Sequence, residues 1–283
     1  MTSLLCHAVA AFLLCGAADD PEDKQETPVA REDSNDRAER LAFLTERAKE
    51  YQLFVKGDQA VKMTAQPVFR WSHPIAKLDD AAVFLWMDDG QPVALGTMIL
   101  HGELGLFSEF QSVSATRVKA VKKDATVWEP AKGCQFSTLP GAPKPAATAA
   151  ERLTQMKALS RRFTVELTKG QPVYSEDSTW QLRLLPKQLA RFGGSKRMLS
   201  DGALFVFCHD TDPEVVLLLR ASDSEWEFAC APLTGWAAQV KCDEKVVWSQ
   251  ERLNPVDDPK LPYIKFGPEP VTTKFQSPDG AKK

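Results

Sequence analysis

The 283 residues predict an α+β protein: two tandem repeats, each a helix followed by an antiparallel meander, packed as one pseudo-twofold body. Three observations carry this expectation. Short blocks recur in the same order in the two halves. Each half opens on a capped amphipathic helix. After each helix, apolar runs alternate with polar turns at about ten-residue spacing, as in a meander.

Residues 1–18 read as a signal peptide. Met1 to Ala18 contain no Asp, Glu, Lys or Arg, and the apolar run from Leu4 ends on Gly16-Ala17-Ala18, the small residues a cleavage site requires. That run falls short of the about 20 residues of a membrane span, so no transmembrane span is expected in the mature chain, a retained N-terminal anchor being the lesser alternative. Residues 19–35 are acidic and proline-broken, with too little apolar surface to offset ordering entropy, and read as a flexible tether.

The first repeat is assigned to 36–130 and the second to 148–250. Ala38-Glu39-Arg40-Leu41 recurs as Ala150-Glu151-Arg152-Leu153, at an offset of 112. Both blocks sit in a predicted capping box, Asp36 with Glu39 and Thr148 with Glu151. The helices share a stripe, with Leu41, Leu44, Ala48 and Tyr51 corresponding to Leu153, Met156, Ser160 and Phe163. Arg47 and Arg161-Arg162 fall off it, on a solvated face. Farther on, Asp80-Ala81-Ala82-Val83-Phe84-Leu85-Trp86 corresponds to Asp201-Gly202-Ala203-Leu204-Phe205-Val206-Phe207, and Trp128 to Trp248. The growing offset places about nine extra residues between Lys169 and Ser200, where Gly193-Gly194-Ser195 marks a loop.

Strands are expected first at Val68–Trp71 and Trp180–Leu185, then in series from Ala82 to Trp128 and from Ala203 to Trp248. The linker 131–147 carries Leu139-Pro140-Gly141-Ala142-Pro143-Lys144-Pro145 and should be stiff and extended. The tail 251–283 is rich in proline, and Leu261, Tyr263, Ile264 and Phe266 within it are apolar and able to dock as one extended segment. A helix and meander in each half would bury one sheet face against the helix.

The blocks Gly141 to Leu153, Leu182-Arg183-Leu184-Leu185-Pro186, Asp201 to Phe205 and Thr211-Asp212-Pro213-Glu214-Val215 resemble a group of secreted proteins common in planctomycete bacteria. The resemblance covers roughly residues 37–250. It implies a bacterial exported protein and assigns no catalytic, cofactor or metal residue.

The chemistry-bearing residues are scattered. The net charge is -3, from 35 Lys plus Arg against 38 Asp plus Glu, which argues against an electrostatic nucleic-acid footprint. Outside the leader, His73, His101 and His209 stand singly in turns or at strand ends, in no metal-ligating spacing. The best polar knot is His209-Asp210-Thr211-Asp212, read as a turn in which the Asp side chains bond the backbone. The doublets Asp79-Asp80, Asp88-Asp89 and Asp257-Asp258 fall at turns or in the tail, where carboxylates are solvated. No GxSxG, P-loop or GxGxxG is present.

Arg70 and Arg183 each lie between apolar neighbours on a first strand. They are either anion-binding arginines facing a central groove or, the favoured reading, the solvent face of alternating strands. Of the seven tryptophans, Trp226 and Trp236 lack an aromatic counterpart and are the candidates for exposure. Cys134, Cys208, Cys230 and Cys242 remain after cleavage, with neither zinc nor CxxC spacing. At most one disulfide is expected, among Cys208, Cys230 and Cys242, with Cys208–Cys230 the first choice and Cys134 unpaired.

These readings name no catalytic, metal, cofactor or ligand-binding residue. The chain is expected to be exported, periplasmic or extracellular, and non-enzymatic: a binding or structural component of the bacterial envelope, with a protein or small-molecule partner. The alternative is a secreted hydrolase whose acid and base come from distant segments. A convergent set of carboxylates or histidines in a deep pocket would favour that alternative; a shallow apolar and aromatic groove would favour binding.

Overall fold

The computed structural model describes residues 34–131, 133–170, 178–193, 201–222 and 224–271. The signal and nearly all of the tether, Gly194 and Ser195 of the loop, and the end of the tail lie outside the described residues. The protein is mostly antiparallel β with two helices, 13% helix and 52% strand, in four antiparallel sheets.

In chain order, α1 (Ser34–Lys49) leads into β1 (Tyr51–Val55), β2 (Gln59–Ala60), β3 (Lys62–Met63) and β4 (Phe69–His73). The long hairpin β5 (Leu78–Asp88) and β6 (Gln91–His101) follows, then β7 (Gly105–Ser112), β8 (Val118–Lys122) and β9 (Ala125–Trp128). After β10 (Ser137–Thr138) come α2 (Ala149–Ser160), β11 (Phe163–Lys169), β12 (Ser178–Gln181), β13 (Arg183–Leu184) and β14 (Ala190–Phe192). The chain ends through β15 (Gly202–His209), β16 (Asp212–Ala221), β17 (Trp226–Pro232), β18 (Ala237–Cys242), β19 (Lys245–Gln250) and β20 (Tyr263–Glu269).

The strands do not form one meander per half. The first small sheet has the order β2-β1-β8-β9 and the first large sheet β20-β7-β6-β5-β3, with β4 also on β5. The second large sheet has the order β10-β17-β16-β15-β13, with β14 on β15, and the second small sheet β12-β11-β18-β19. The last two strands of each series thus leave the meander and pair with a strand that directly follows a helix. Those strands, β1 and β11, were absent from the sequence expectation. Tyr51 and Phe163, assigned to the helical stripes, begin them instead and are buried.

Three apolar cores separate the four sheets. Ala82, Phe84 and Trp86 of β5 join Leu44, Leu53 and Trp128 in the core beneath α1. Ala81, Val83 and Leu85 point the other way and meet Leu204, Val206, Val216 and Leu218 in a central core between the two large sheets. Ala203, Phe205 and Phe207 then face Met156, Val165 and Val240 in the third core. A strand buried on both faces has no polar face to show, which is why β5 and β15 read as unbroken apolar runs.

Edges are closed by exchanged segments. The linker strand β10 pairs with β17, and the tail strand β20 pairs with β7, with Lys265 opposite Glu109. Trp128 is fully buried and donates its indole N–H to the Leu261 carbonyl at 2.9 Å, tying the tail down.

The caps differ. Thr148 accepts from the Glu151 N–H, completing the capping box of α2. Asp36 is not a cap, because α1 begins at Ser34 and places Asp36 inside its first turn, where a carboxylate still favours the helix dipole.

Candidate functional site

Between the large sheets, the tail and the β17–β18 turn lies a groove of about 530 Å³. Its floor is ionic and its rim apolar. Glu109 projects from β7, and Tyr263 and Lys265 from the paired β20. Lys169 ends β11, and Asp212 and Glu214 open β16. Antiparallel register sets Lys265 directly across from Glu109, and their charges meet at 2.9 Å. Lys169 reaches Glu214 at 2.6 Å, with side chains only 9% and 4% exposed. Phe107, Leu104 and Trp236 contribute to the rim, Lys265 lies over the Phe107 ring and Arg252 over that of Trp236.

Burial decides the protonation of the floor. Desolvation, then the negative charges of Glu214 and Glu109, push the half-buried Asp212 carboxyl well above the ordinary carboxylate range. Tyr263 is 2% exposed, and its hydroxyl is raised well above the phenolic range by desolvation first and by the neighbouring carboxylates, Glu109 being its acceptor. The Glu109 charge leads the causes that raise Lys265. Two lysine–carboxylate pairs, Lys265 with Glu109 and Lys169 with Glu214, thus lie beside an acid and a phenol whose ionisation burial opposes. Withdrawing such groups from water is costly, so perturbed clusters of this kind concentrate at functional sites.

A larger groove of about 930 Å³ is walled by neutral polar groups such as Gln59, Gln91, Ser114, Thr116 and Gln135, together with Lys56, Asp88 and Asp89. Its Arg220 pairs with Glu227 at 2.7 Å and covers Phe136. Size alone would select this groove, but no buried ionisable cluster floors it.

The structure redistributes the residues singled out in the sequence. Asp212 belongs to the floor, beyond the turn assigned to it, and His101 lines the groove while its Nδ1 accepts from the Glu103 and Leu104 N–H groups at 3.3 Å. His73 meets Asp210 at 3.5 Å, and His209 packs edge-on against Trp180. Among the described residues, no three His, Cys, Asp or Glu side chains converge as a metal site would need.

Several expectations are corrected. Asp80 is not a solvated turn carboxylate: it is 3% exposed and clamped by Arg70 and Arg40. Arg70 is accordingly not on a free solvent face. Trp226 is 1% exposed and belongs to the third core, whereas Trp236 is half-buried in the groove. Among the described residues, Cys134, Cys208, Cys230 and Cys242 are free and buried. Cys208 faces the central core and Cys230 the third, so β16 and the sheet itself separate the pair chosen for a disulfide.

Glu109, Lys169, Glu214 and Lys265 were not singled out in the sequence, and Tyr263 only as an apolar residue of the docking tail. Only one signal pointed to them: charged residues interrupting otherwise apolar strands. Comparison with protein families, with curated proteins and with solved structures finds no match for this chain.

Proposed function

We propose that the chain is an exported, internally duplicated binding protein that takes its ligand in the ionic groove. The observation that carries the reading is the ion-paired floor of Glu109, Lys169, Asp212, Glu214, Tyr263 and Lys265 beneath an apolar and aromatic rim. Ligand pockets combine these features: apolar walls for affinity and a few fixed polar groups for orientation. The floor offers donors and acceptors together, its lysines already paired with carboxylates. It suits an uncharged polyhydroxyl ligand such as a small sugar, whose rings stack on aromatic side chains. The leader-like N-terminus supports export.

Duplication is supported by the paired strand orders of the small and of the large sheets. It is supported further by a shared clamp: Arg40 and Arg70 hold Asp80 as Arg152 and Arg191 hold Asp201. Under that correspondence Asp212, Glu214, Lys169 and Glu109 fall opposite Gln91, Val93, Gly57 and Ala229. The counterpart positions carry no charge, so the architecture does not require the ionic floor. A charged cluster kept at one of two equivalent places, against its desolvation cost, is best explained by a ligand.

A second reading, a hydrolase, is favoured by one feature: a carboxyl raised by burial next to two salt-bridged carboxylates is the arrangement general acid–base chemistry uses. The experiment is calorimetric titration of the mature chain with mono- and disaccharides, alongside turnover of chromogenic glycosides. Binding that is lost in Glu109→Gln/Lys265→Met, with the fold intact by circular dichroism, supports the first reading. Turnover abolished by Asp212→Asn makes the protein a hydrolase. Absence of both, across the panel, rejects the ligand class. Fractionation showing an uncleaved cytoplasmic chain would remove the export premise.

A further inference from the structure

A third groove, of about 390 Å³, opens on the opposite flank of the first large sheet and is lined by four arginines from three elements. Arg37 and Arg40 come from α1, Arg70 from β4 and Arg183 from β13, with Ser72 and Thr211 between them. Among the described residues, Asp80 is the only acidic one in the lining.

Asp80 is already committed. Both its oxygens take hydrogen bonds from Arg70, one of them from Nε at 2.8 Å, and Arg40 approaches at 3.5 Å. Arg70 also donates to the Arg37 carbonyl at 2.5 Å, which fastens the start of α1 to the sheet. The matching cluster of Arg152, Arg191 and Asp201 makes analogous bonds to the carbonyls of Ala146, Ala147 and Ala149. The clamp by itself is therefore architectural.

The groove beside Asp80 adds something that clamping does not explain. Arg183 is brought to it from the second large sheet and donates to the Asp210 carbonyl at 3.1 Å, a neutral acceptor. Asp210 turns its carboxylate to His73 instead. Arg37 is exposed at the other side. Trp71, in the same wall and 6% exposed, buries an indole N–H without an acceptor among the described residues. The groove thus gathers donors and positive charge in excess of acceptors.

We propose that this groove is an oxyanion site that takes a phosphate or sulfate group, free or carried on a small molecule. Guanidinium forks match the geometry of tetrahedral oxyanions, and convergence of several of them distinguishes a site from scattered surface charge. The volume lies within the range of ligand pockets and has room for a monoester as well as the bare ion. Phe69 and Trp71, stacked at 5.6 Å between ring centres, furnish an apolar wall for the carrier.

The test is titration of the full mature chain with inorganic phosphate, with sulfate and with glycerol 3-phosphate, followed by calorimetry and by phosphorus NMR line width. Saturable binding is expected, weakened about tenfold or more by Arg183→Ala and again by Arg37→Ala, as loss of a charge-assisted hydrogen bond implies. Neither residue belongs to the Asp80 clamp contacts through its side chain, so both variants should fold. Arg117→Ala, a charge-matched change at an exposed arginine on β8's approach, should leave binding unaltered. Tighter binding of the ester than of the ion assigns the site to a carried group, and equal binding to the free ion. The proposal fails if the wild-type chain does not saturate with any of the three, if Arg183→Ala binds as the wild type does, or if Arg117→Ala weakens binding equally. None of these arginines lines the ionic groove, so failure here leaves the reading of that groove standing.

Discussion

The Lys169–Glu214 pair offers the sharpest test of the ionic floor. Replacing Lys169 with Met keeps most of the side-chain volume and removes the charge. Glu214, 4% exposed in its side chain, then faces a desolvated groove without its partner at 2.6 Å. Breaking a buried pair in this way costs about 3–5 kcal/mol. At about 2–4 °C per kcal/mol for a body of this size, Tm should fall by roughly 6–20 °C. Replacing both members, as Lys169→Met/Glu214→Leu, removes the charge and the orphan together and should return stability to within about 1 kcal/mol of wild type, or above it. Urea denaturation of the wild type, both single variants and the double variant closes the cycle. A coupling of more than about 2 kcal/mol is expected. A loss below about 1 kcal/mol in Lys169→Met is what an exposed pair would give. It would show the floor to be solvated and would undo the argument that the groove retains these charges at a cost.

Other outcomes follow from the same geometry. Because the folded Asp212 carboxyl is raised, the native chain holds a proton that the unfolded chain releases, so this group's contribution to stability falls as pH rises above the unfolded value of about 3.9. Asp212→Asn should therefore raise Tm at neutral pH, with the gain vanishing toward pH 4; a gain that is constant with pH, or a loss at neutral pH, refutes it. In Gly96→Ala the new methyl would lie 2.4 Å from Trp86 Cζ3 and 2.8 Å from Phe110 Cε1, between two buried rings, and should cost about 1–3 kcal/mol in urea denaturation. The thiols of Cys134 and Cys208, pushed up to about 12 chiefly by burial, should resist a thiol reagent at neutral pH until the chain is unfolded. Mass spectrometry without reductant should then find four free thiols, and any bridge between Cys208 and Cys230 would contradict the sheet geometry.

Local determinants were legible in the chain itself. Thr148 and Glu151 specify a helix start because cap and third residue satisfy each other's N–H groups within one turn. Asp88-Asp89-Gly90-Gln91 specifies the β5–β6 hairpin because Asp89 and Gly90 adopt the positive φ, 45° and 76°, that a tight turn of this hand requires. Apolar runs located β5, β6, β15 and β16, and the ordered blocks located the Arg40–Asp80 and Arg152–Asp201 contacts without revealing that they were contacts. Tertiary structure decided the rest. Tyr51–Val55 alternates buried and exposed, but five residues directly after a helix continue its apolar stripe equally well, and only pairing with β8 makes them a strand. Asp80 and Asp212 looked like turn carboxylates, because burial depends on what packs over a residue and not on its neighbours in sequence. The ionic floor draws Glu109 from β7, Lys169 from β11, Asp212 and Glu214 from β16, and Tyr263 and Lys265 from β20. Their mutual distances are set by strand exchange and sheet stacking, long-range terms that no local spacing encodes.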